Sequence, residues 1–462
     1  MLNLLETCVF LLAVTVSACG SPAGRSGDGD EAQGEQEIDL PGEDMEEEDA
    51  ASQDAGEEDA AEEDAGAPEP REIEPACDPD NRERSDKGEI ALGDGVEDVL
   101  VEECAEHVYT FVAPAGMKVS VALASDRTYP VMASLVWPDD PTWDERIERI
   151  YSGWSPAETV IDIPRSGEFV ILVRAIDALT SPRYDLSIAC SDACDLETTR
   201  FPVVMVHGWT GFSEIGPLEY FYGVNDDLKP RGYLLYIAEL DPYNSVEVRS
   251  GQLAEQIDAF LEEGRARKVN VVAHSQGGLD TRRVISTLGY GDRIASLVTI
   301  ATPHYGTPVA DVATGALPGP AEEALFFLLN LLGAAATGHE QEARDSFESL
   351  TEDYVRNTFN PENPDDPAVT YISWTGLTCL FGITCDDVCD IEIRWAYDLI
   401  YLMRGDNDGM VPVESGQWGE YMGTIPADHF DEVGQLFGVT GPNFDHLEFY
   451  HGVVGEIRGR GF

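Results

Sequence analysis

The sequence predicts an α/β architecture, a mainly parallel sheet flanked by helices, preceded by a small all-β sandwich. Three observations carry that expectation. From about residue 199 onward, short continuous apolar runs alternate with longer helical patterns, as expected for strands covered on both faces. Between about 77 and 194, segments rich in Val, Ile, Tyr and Phe recur at close intervals instead. The chain itself, 462 residues and 43% hydrophobic, has length for two or three domains and apolar content for globular cores.

In chain order, residues 1–18 read as an export signal. Val9 to Val16 form an apolar run, and Val16-Ser17-Ala18-Cys19-Gly20 places small residues just before a cysteine. That junction resembles the bacterial lipobox, at which cleavage leaves a lipidated Cys19. The expectation is an exported protein anchored through Cys19 to the cell envelope, at the outer membrane of a Gram-negative bacterium. The region before the apolar run is atypical, with Glu6 and no Lys or Arg. No other stretch has the roughly 18 apolar residues that a membrane span needs.

Residues 19–76 read as an acidic, disordered tether. Gly, Ala, Asp, Glu and Pro dominate there, and such a segment buries too little surface to offset its chain entropy. The chain carries 28 Lys plus Arg against 88 Asp plus Glu, a net charge of −60. Residues 28–74 hold 22 acids and one base, Arg71, so −21 of the −60 is local and −39 is spread elsewhere. A protein this acidic repels phosphate backbones, which excludes nucleic acid as an expected partner. The acidity of the folded part suits a salty or calcium-bearing habitat, and composition does not choose between them.

Nine cysteines in an exported chain favour disulfides over metal or redox sites. Cys8 leaves with the signal and Cys19 is lipidated, leaving Cys77, Cys104, Cys190, Cys194, Cys379, Cys385 and Cys389. An odd number leaves at least one thiol over, and no paired CxxC marks a zinc site.

The β-sandwich is expected over 77–194, with strands at 106–112, 118–124, 131–136, 158–163, 168–175 and 184–189. Val119, Val121 and Leu123 show the period-2 alternation of a half-buried strand. The runs Tyr109-Thr110-Phe111-Val112-Ala113-Pro114-Ala115-Gly116, Ser166-Gly167-Glu168-Phe169 and Tyr184-Asp185-Leu186-Ser187 resemble the pre-peptidase C-terminal-like domain. No catalytic constellation is visible in it, and His107 reads as a structural histidine.

In the region 195–462, strands are expected at 202–206, 234–240, 269–273 and 295–301, with helices near 216–230, 247–264 and 277–289. The chemistry sits at the joins. Strand 269–273 runs into His274-Ser275-Gln276-Gly277-Gly278 and then a helical pattern, which is a nucleophile elbow: a serine on a tight strand-to-helix turn. The crowded turn needs small residues two before and two after the serine, here Ala273 and Gly277. Upstream, strand 202–206 ends in His207-Gly208-Trp209. In an α/β-hydrolase this loop supplies one oxyanion donor, so Trp209 N–H and Gln276 N–H are the candidates. His207 reads as a loop-orienting residue rather than the base. An acid and then a histidine must follow in chain order. Asp408 and His429 provide them, with Asp406 or Asp428 and His446 or His451 as competitors that spacing does not exclude.

Several ordered blocks across roughly 199–445 resemble the secreted true lipases of Pseudomonas and Burkholderia, lipase subfamilies I.1 and I.2. They are Val206-His207-Gly208 with Thr210-Gly211-Phe212, Arg249-Ser250-Gly251-Gln252-Leu253, Lys268-Val269-Asn270 leading to the elbow, Thr302-Pro303-His304-Tyr305-Gly306, Ser373-Trp374-Thr375-Gly376, Asn407-Asp408-Gly409 and His429-Phe430-Asp431-Glu432-Val433. The resemblance implies an α/β-hydrolase fold with a helical lid. It implies Ser275 as nucleophile, Asp408 as orienting acid, His429 as general base, and Trp209 and Gln276 at the oxyanion hole. It also implies a structural Ca²⁺ beside the catalytic histidine, held by Asp431, by the carbonyls of Gln435 and Val439, and by a second carboxylate near Cys385–Asp390, for which Asp390 is chosen. The alternative is that these are surface acids of an acidic protein. No organic cofactor is implied. Residues 321–336 (AEEALFFLLNLLGAAA) fall where the relatives carry a mobile lid, although a plain core helix fits the same run.

The function expected is a serine carboxylic ester hydrolase, an envelope-tethered triacylglycerol lipase or esterase working through an acyl-enzyme. Its partners are a lipid or other acyl-ester substrate and, through Cys19, a membrane. The relatives also use a lipase-specific foldase, and the need for one here stays open. Competing readings are a non-catalytic surface-binding lipoprotein on a hydrolase-like scaffold, and an esterase or phospholipase acting on other acyl esters.

Overall fold

A computed structural model describes residues 83–462 except 102–103, 127–128, 141, 144, 153–155, 177–180, 210–213, 216–217, 318–339 and 383–384. The export signal, Cys19, the tether, Cys77 and the expected lid at 321–336 lie outside the described residues.

Nine strands between Glu83 and Asp192 form two facing sheets. They are β1 (Glu83–Glu89), β2 (Gly95–Val99), β3 (Ala105–Ala113), β4 (Lys118–Ser125), β5 (Val131–Val136), β6 (Arg146–Ser152), β7 (Ala157–Asp162), β8 (Gly167–Ala175) and β9 (Arg183–Asp192). One sheet has the order β1-β3-β8-β5-β6 and the other β2-β9-β4-β7. All pairs are antiparallel except β1 with β3. Their inner faces alternate as a sandwich requires: Val119, Val121 and Leu123 of β4 meet Tyr109 and Phe111 of β3 in one core. The six expected strands are all present. The three not anticipated, β1, β2 and β6, carry many charges and little alternation, and β1 is exposed along its whole length.

The second half is a six-stranded, wholly parallel sheet in the order β13-β10-β14-β15-β16-β17. Its strands are β10 (Val203–Val206), β13 (Leu235–Ile237), β14 (Val269–His274), β15 (Ile294–Ile300), β16 (Thr370–Gly376) and β17 (Glu420–Ile425). A two-stranded ribbon, β11 (Glu214–Ile215) with β12 (Leu218–Glu219), precedes β13. Successive strand residues face opposite sides. Val203 and Met205 of β10 join one core with Val272 and Val298, whereas Val204 and Val206 join another with Val271 and Leu297. Helices α2 (Val246–Glu263) and α3 (Gln276–Ile285) cover the latter face through Leu253, Ile257 and Val284. Helices α1 (Val224–Leu228) and α7 (His446–Gly459) cover the former through Val224, Tyr450 and Ile457. Between them in sequence lie α4 (Pro308–Ala313), α5 (Glu340–Glu348) and α6 (Arg394–Arg404).

The helix expected over 216–230 is only the five residues of α1 followed by a 3₁₀ turn at Lys229–Arg231. Left-handed Gly223 and the proline at 230 confine it to that length.

Both halves belong to one unit, Arg71–Phe462. Their seam lies at the amino ends of β10, β13 and β14. Ser166 Oγ donates to Gly232 O at 2.5 Å, just before β13. Buried Glu168 accepts from Arg200 Nη1 at 2.6 Å and Arg267 Nη2 at 2.5 Å, just before β10 and β14. Cys190–Cys194 and Cys379–Cys385 form disulfides, Cys104 is disulfide-bonded, and Cys389 is a buried free thiol.

Candidate active site

The site gathers at the carboxyl ends of the parallel strands, where the chain leaves the sheet and side chains are free to converge. β14 delivers Ser275, which adopts φ 55° and ψ −131° between strand and helix. A positive φ is costly for a residue with a Cβ, and it persists here because the surrounding backbone fixes it. The turn leaves no room two residues on: a Cβ on Gly277 would meet the carbonyl oxygens of Val206 and His207 at 2.7 and 2.8 Å.

Ser275 Oγ lies 3.0 Å from His429 Nε2. On the other side of the ring, His429 Nδ1 lies 2.8 Å from Asp408 Oδ2. Asp408 is buried, and its second oxygen accepts from the N–H groups of Met410 at 2.8 Å and Val411 at 2.6 Å. The turn after α6 therefore orients the carboxylate, and the carboxylate orients the imidazole. Three of the four competing residues are engaged elsewhere. His446 Nε2 bonds the carbonyl of Tyr222, and His451 lies 3.5 Å from Glu197. Asp428 accepts from the N–H groups of Phe430, Asp431 and Asp390.

His207 stands outside this trio. Its Nε2 accepts from Leu240 N–H at 3.1 Å, so its Nδ1 donates to the carbonyl of Gly208 at 2.9 Å. Burial, together with the neighbouring Arg249 guanidinium, depresses its pKa to about 3. Arg249, wholly buried, donates from Nη2 to the His207 carbonyl at 2.7 Å, from Nη1 to Asp241 O at 2.6 Å and from Nε to Asp280 at 2.8 Å. That arginine pins the strand end of the loop that carries Trp209. Gln276 is the first residue of α3, where a backbone N–H has no intrahelical acceptor.

A largely apolar cavity opens beside Ser275 and His429. Trp209, Val309, Phe347, Leu350 and Met410 line it, and the Trp209 and Phe347 rings lie 4.4 Å apart. Such a lining suits an acyl chain rather than a polar group.

Of the expected cation ligands, Asp431 does face other acids, but the carboxylates that converge with it are Asp387 and Asp428, all three buried. Asp390 is not among them; its backbone N–H donates to Asp428 Oδ2 at 2.8 Å. Gln435 lines the cavity, and Val439 lies on the same loop, which Gly441 N–H ties back to Asp431 Oδ2 at 2.7 Å. The chemistry of this cluster fits a cation. Neither Asp387 oxygen completes a well-formed hydrogen bond, and no arginine, lysine or histidine among the described residues pairs with any of the three. Burial and the neighbouring acids push Asp431 up to about 7 and raise Asp428, and burial raises Asp387 as well. Hard carboxylate oxygens at this density suit Ca²⁺.

Parallel sheet, strained serine and histidine between serine and acid define a serine ester hydrolase of the α/β-hydrolase fold. Comparison with known proteins narrows this. Residues 202–357 match the family model for palmitoyl protein thioesterase. A triacylglycerol lipase of Vibrio cholerae is 31% identical, over 52% of this chain and 82% of its own length. One from Pseudomonas fragi is 27% identical, over 55% of this chain and 95% of its own. The crystal structure of a Bacillus licheniformis lipase in mature form covers 58% of this chain and 96% of its own, at 19% identity and a TM-score of 0.45. The chain belongs to the triacylglycerol lipase family.

Proposed function

We propose that the protein hydrolyses the acyl esters of lipids through a Ser275–His429–Asp408 triad. The observation that supports this most directly is His429 held between Ser275 Oγ and Asp408 Oδ2. Ser275 attacks the ester carbonyl while His429 Nε2 takes the hydroxyl proton, and Asp408 holds the imidazole in the tautomer able to do so. The oxyanion is received by the N–H groups of Trp209 and Gln276. His429 then protonates the alcohol leaving group, and water attacks the acyl-enzyme by the reverse route. The acyl chain occupies the cavity beside Trp209 and Phe347.

On this reading Asp387, Asp428 and Asp431, with loop carbonyls such as those of Gln435 and Val439, would hold a Ca²⁺ beside the segment that presents His429. The ion would supply charge compensation and rigidity there. Lipidation of Cys19 and the acidic tether place the enzyme at the cell envelope; loss of radiolabelled palmitate from the chain in Cys19→Ala is the corresponding test.

The decisive experiment is Ser275→Ala. The purified variant should keep its far-UV spectrum and lose both ester hydrolysis and fluorophosphonate labelling. Retained hydrolysis would remove Ser275 from the mechanism. The thioesterase family match favours one variation, acyl thioesters as substrates of the same acyl-enzyme. Comparing acyl-CoA with triacylglycerol at equal chain length separates the two.

A further inference from the structure

Behind the serine runs a line of buried polar groups that ends at Glu432, whose Oε2 lies 3.7 Å from His429 Nδ1. Tyr220 Oη accepts the N–H of Gly208 at 3.1 Å. The same oxygen lies 2.7 Å from His274 Nδ1, and His274 Nε2 lies 2.7 Å from Glu432 Oε2. Tyr220, His274 and Glu432 are 3%, 1% and 0% exposed, so water does not substitute for any of these bonds. The line begins on the oxyanion loop, passes through the residue before Ser275 and ends three residues after His429.

The donor inventory gives the line a direction. An amide N–H only donates, so the Tyr220 oxygen accepts from Gly208. The Tyr220 hydroxyl then needs an acceptor of its own, and His274 Nδ1 is the one within reach among the described residues. The ring is thereby left with its proton on Nε2, which donates to Glu432. Burial and the adjacent His429 hold His274 well below the ordinary histidine range, consistent with a neutral ring that accepts on one side and donates on the other.

Gly208 needs such a restraint. A Cβ there would meet Ser275 Cβ at 2.6 Å and Tyr220 Oη at 2.8 Å, so the position takes only glycine. Glycine has the widest backbone freedom of any residue, and nothing intrinsic to it fixes the direction of the next peptide. Arg249 and Leu240 hold the His207 side of the loop. Tyr220 holds the Gly208 N–H, and His207 Nδ1 holds the Gly208 carbonyl.

We propose that Tyr220 and His274 are positioning residues for the oxyanion hole, fixing Gly208 so that the N–H of Trp209 points at the oxygen that gains charge. This rests on the reading of Ser275 as nucleophile and Trp209 as oxyanion donor. Full removal of an oxyanion donor costs on the order of 100- to 1000-fold in kcat. A donor that is present but unrestrained should cost less, about 10-fold.

The test is Tyr220→Phe in the full chain, which deletes one hydroxyl and keeps the ring that lines the cavity. Fluorophosphonate titration, run to completion, first establishes whether wild type and variant carry one reactive serine each. Absence of labelling in the wild type would overturn the nucleophile reading and this inference with it. With labelling intact, kcat for a soluble nitrophenyl ester should fall about 10-fold with KM little changed. The inhibition constant of an acyl trifluoromethyl ketone, which forms a tetrahedral oxyanion, should rise by the same factor, whereas the planar amide of the same chain should bind as before. A cavity-shaping role would instead weaken amide and ketone alike, and that result, or an unchanged kcat, overturns the proposal. The wild-type protein supplies an independent check by ¹⁵N NMR: His274 should carry its proton on Nε2, and a proton on Nδ1 contradicts the assigned direction.

Discussion

Gly208→Ala probes the reaction centre sharply without replacing a group that reacts. The new methyl carbon would start 2.6 Å from Ser275 Cβ and 3.1 Å from Ser275 Oγ. Carbon atoms settle at about 3.5–4.0 Å, so roughly 1 Å of separation must be found. Either the oxyanion loop retracts or the serine swings away from His429. The first withdraws the Trp209 N–H, the second lengthens the 3.0 Å contact between Oγ and Nε2. A misplacement of about 1 Å at a reacting centre costs about 100-fold. That corresponds to about 2.7 kcal/mol of transition-state stabilisation. Overpacking itself should cost about 1–3 kcal/mol of stability, a fall of several degrees in Tm. The assay is initial-rate hydrolysis of a soluble short-chain nitrophenyl ester, alongside thermal melts and fluorophosphonate labelling. A folded variant whose kcat stays within about threefold of the parent would refute the reasoning, because the loop would then have room that this geometry denies it.

Chelation should lower both activity and Tm, with Ca²⁺ restoring them and Mg²⁺ restoring less, since Mg²⁺ requires tighter octahedral coordination. At a free concentration about 100 times its Kd, an ion bound only by the folded chain adds about 2.7 kcal/mol. Asp387→Asn and Asp431→Asn should flatten that response, and indifference of dialysed protein to strong chelators would count against the site. Asp311 in α4 is buried, and burial pushes its carboxyl up to about 6 from an ordinary 3.8. An acid raised on folding binds more protons in the native state, so it costs stability as pH climbs from about 4 to 6, and the full cost, up to about 3 kcal/mol, is present above pH 6. Asp311→Asn keeps an oxygen for the Glu352 N–H. Its unfolding free energy should therefore match the parent near pH 4 and exceed it at pH 7; a gain equal at both values would assign the effect to something other than this charge.

What could be read from the sequence was what short stretches of backbone impose. The elbow declares itself because a serine between Ala273 and Gly277, straight after a buried strand, has few other geometries open to it. Four of the six parallel strands were legible from continuous apolar runs, and β4 from its alternation, whereas β16 and β17 were not anticipated. Three-dimensional choices were not legible. Asp406, Asp408 and Asp428 are equivalent on spacing, and only the fold shows which of them meets an imidazole and which holds backbone. Asp387 lies three residues before Asp390 in a run of acids, and no local rule tells which one turns inward toward Asp431. Tyr220, His274 and Glu432 were silent for the same reason, since their bonds span 54 and 158 residues. Arg249 stood inside a recognisable block, yet its task, holding the His207 carbonyl, is a property of the folded loop. The highly charged β1 and β6 lack the pattern that marks a strand, because neighbouring strands rather than their own side chains give them their order.

The seam at Glu168 joins the sandwich to the amino ends of β10, β13 and β14, whereas Ser275 and Trp209 follow the carboxyl ends of β14 and β10. The two attachments lie at opposite poles of one sheet. A support or a fused protein fastened to the outer strands of the sandwich thus grips the back of the enzyme and leaves its front facing solution. Coupling through a single cysteine placed on exposed β1 offers an orientation-controlled way to array this enzyme on a surface, with every copy presenting the same open side to an emulsion.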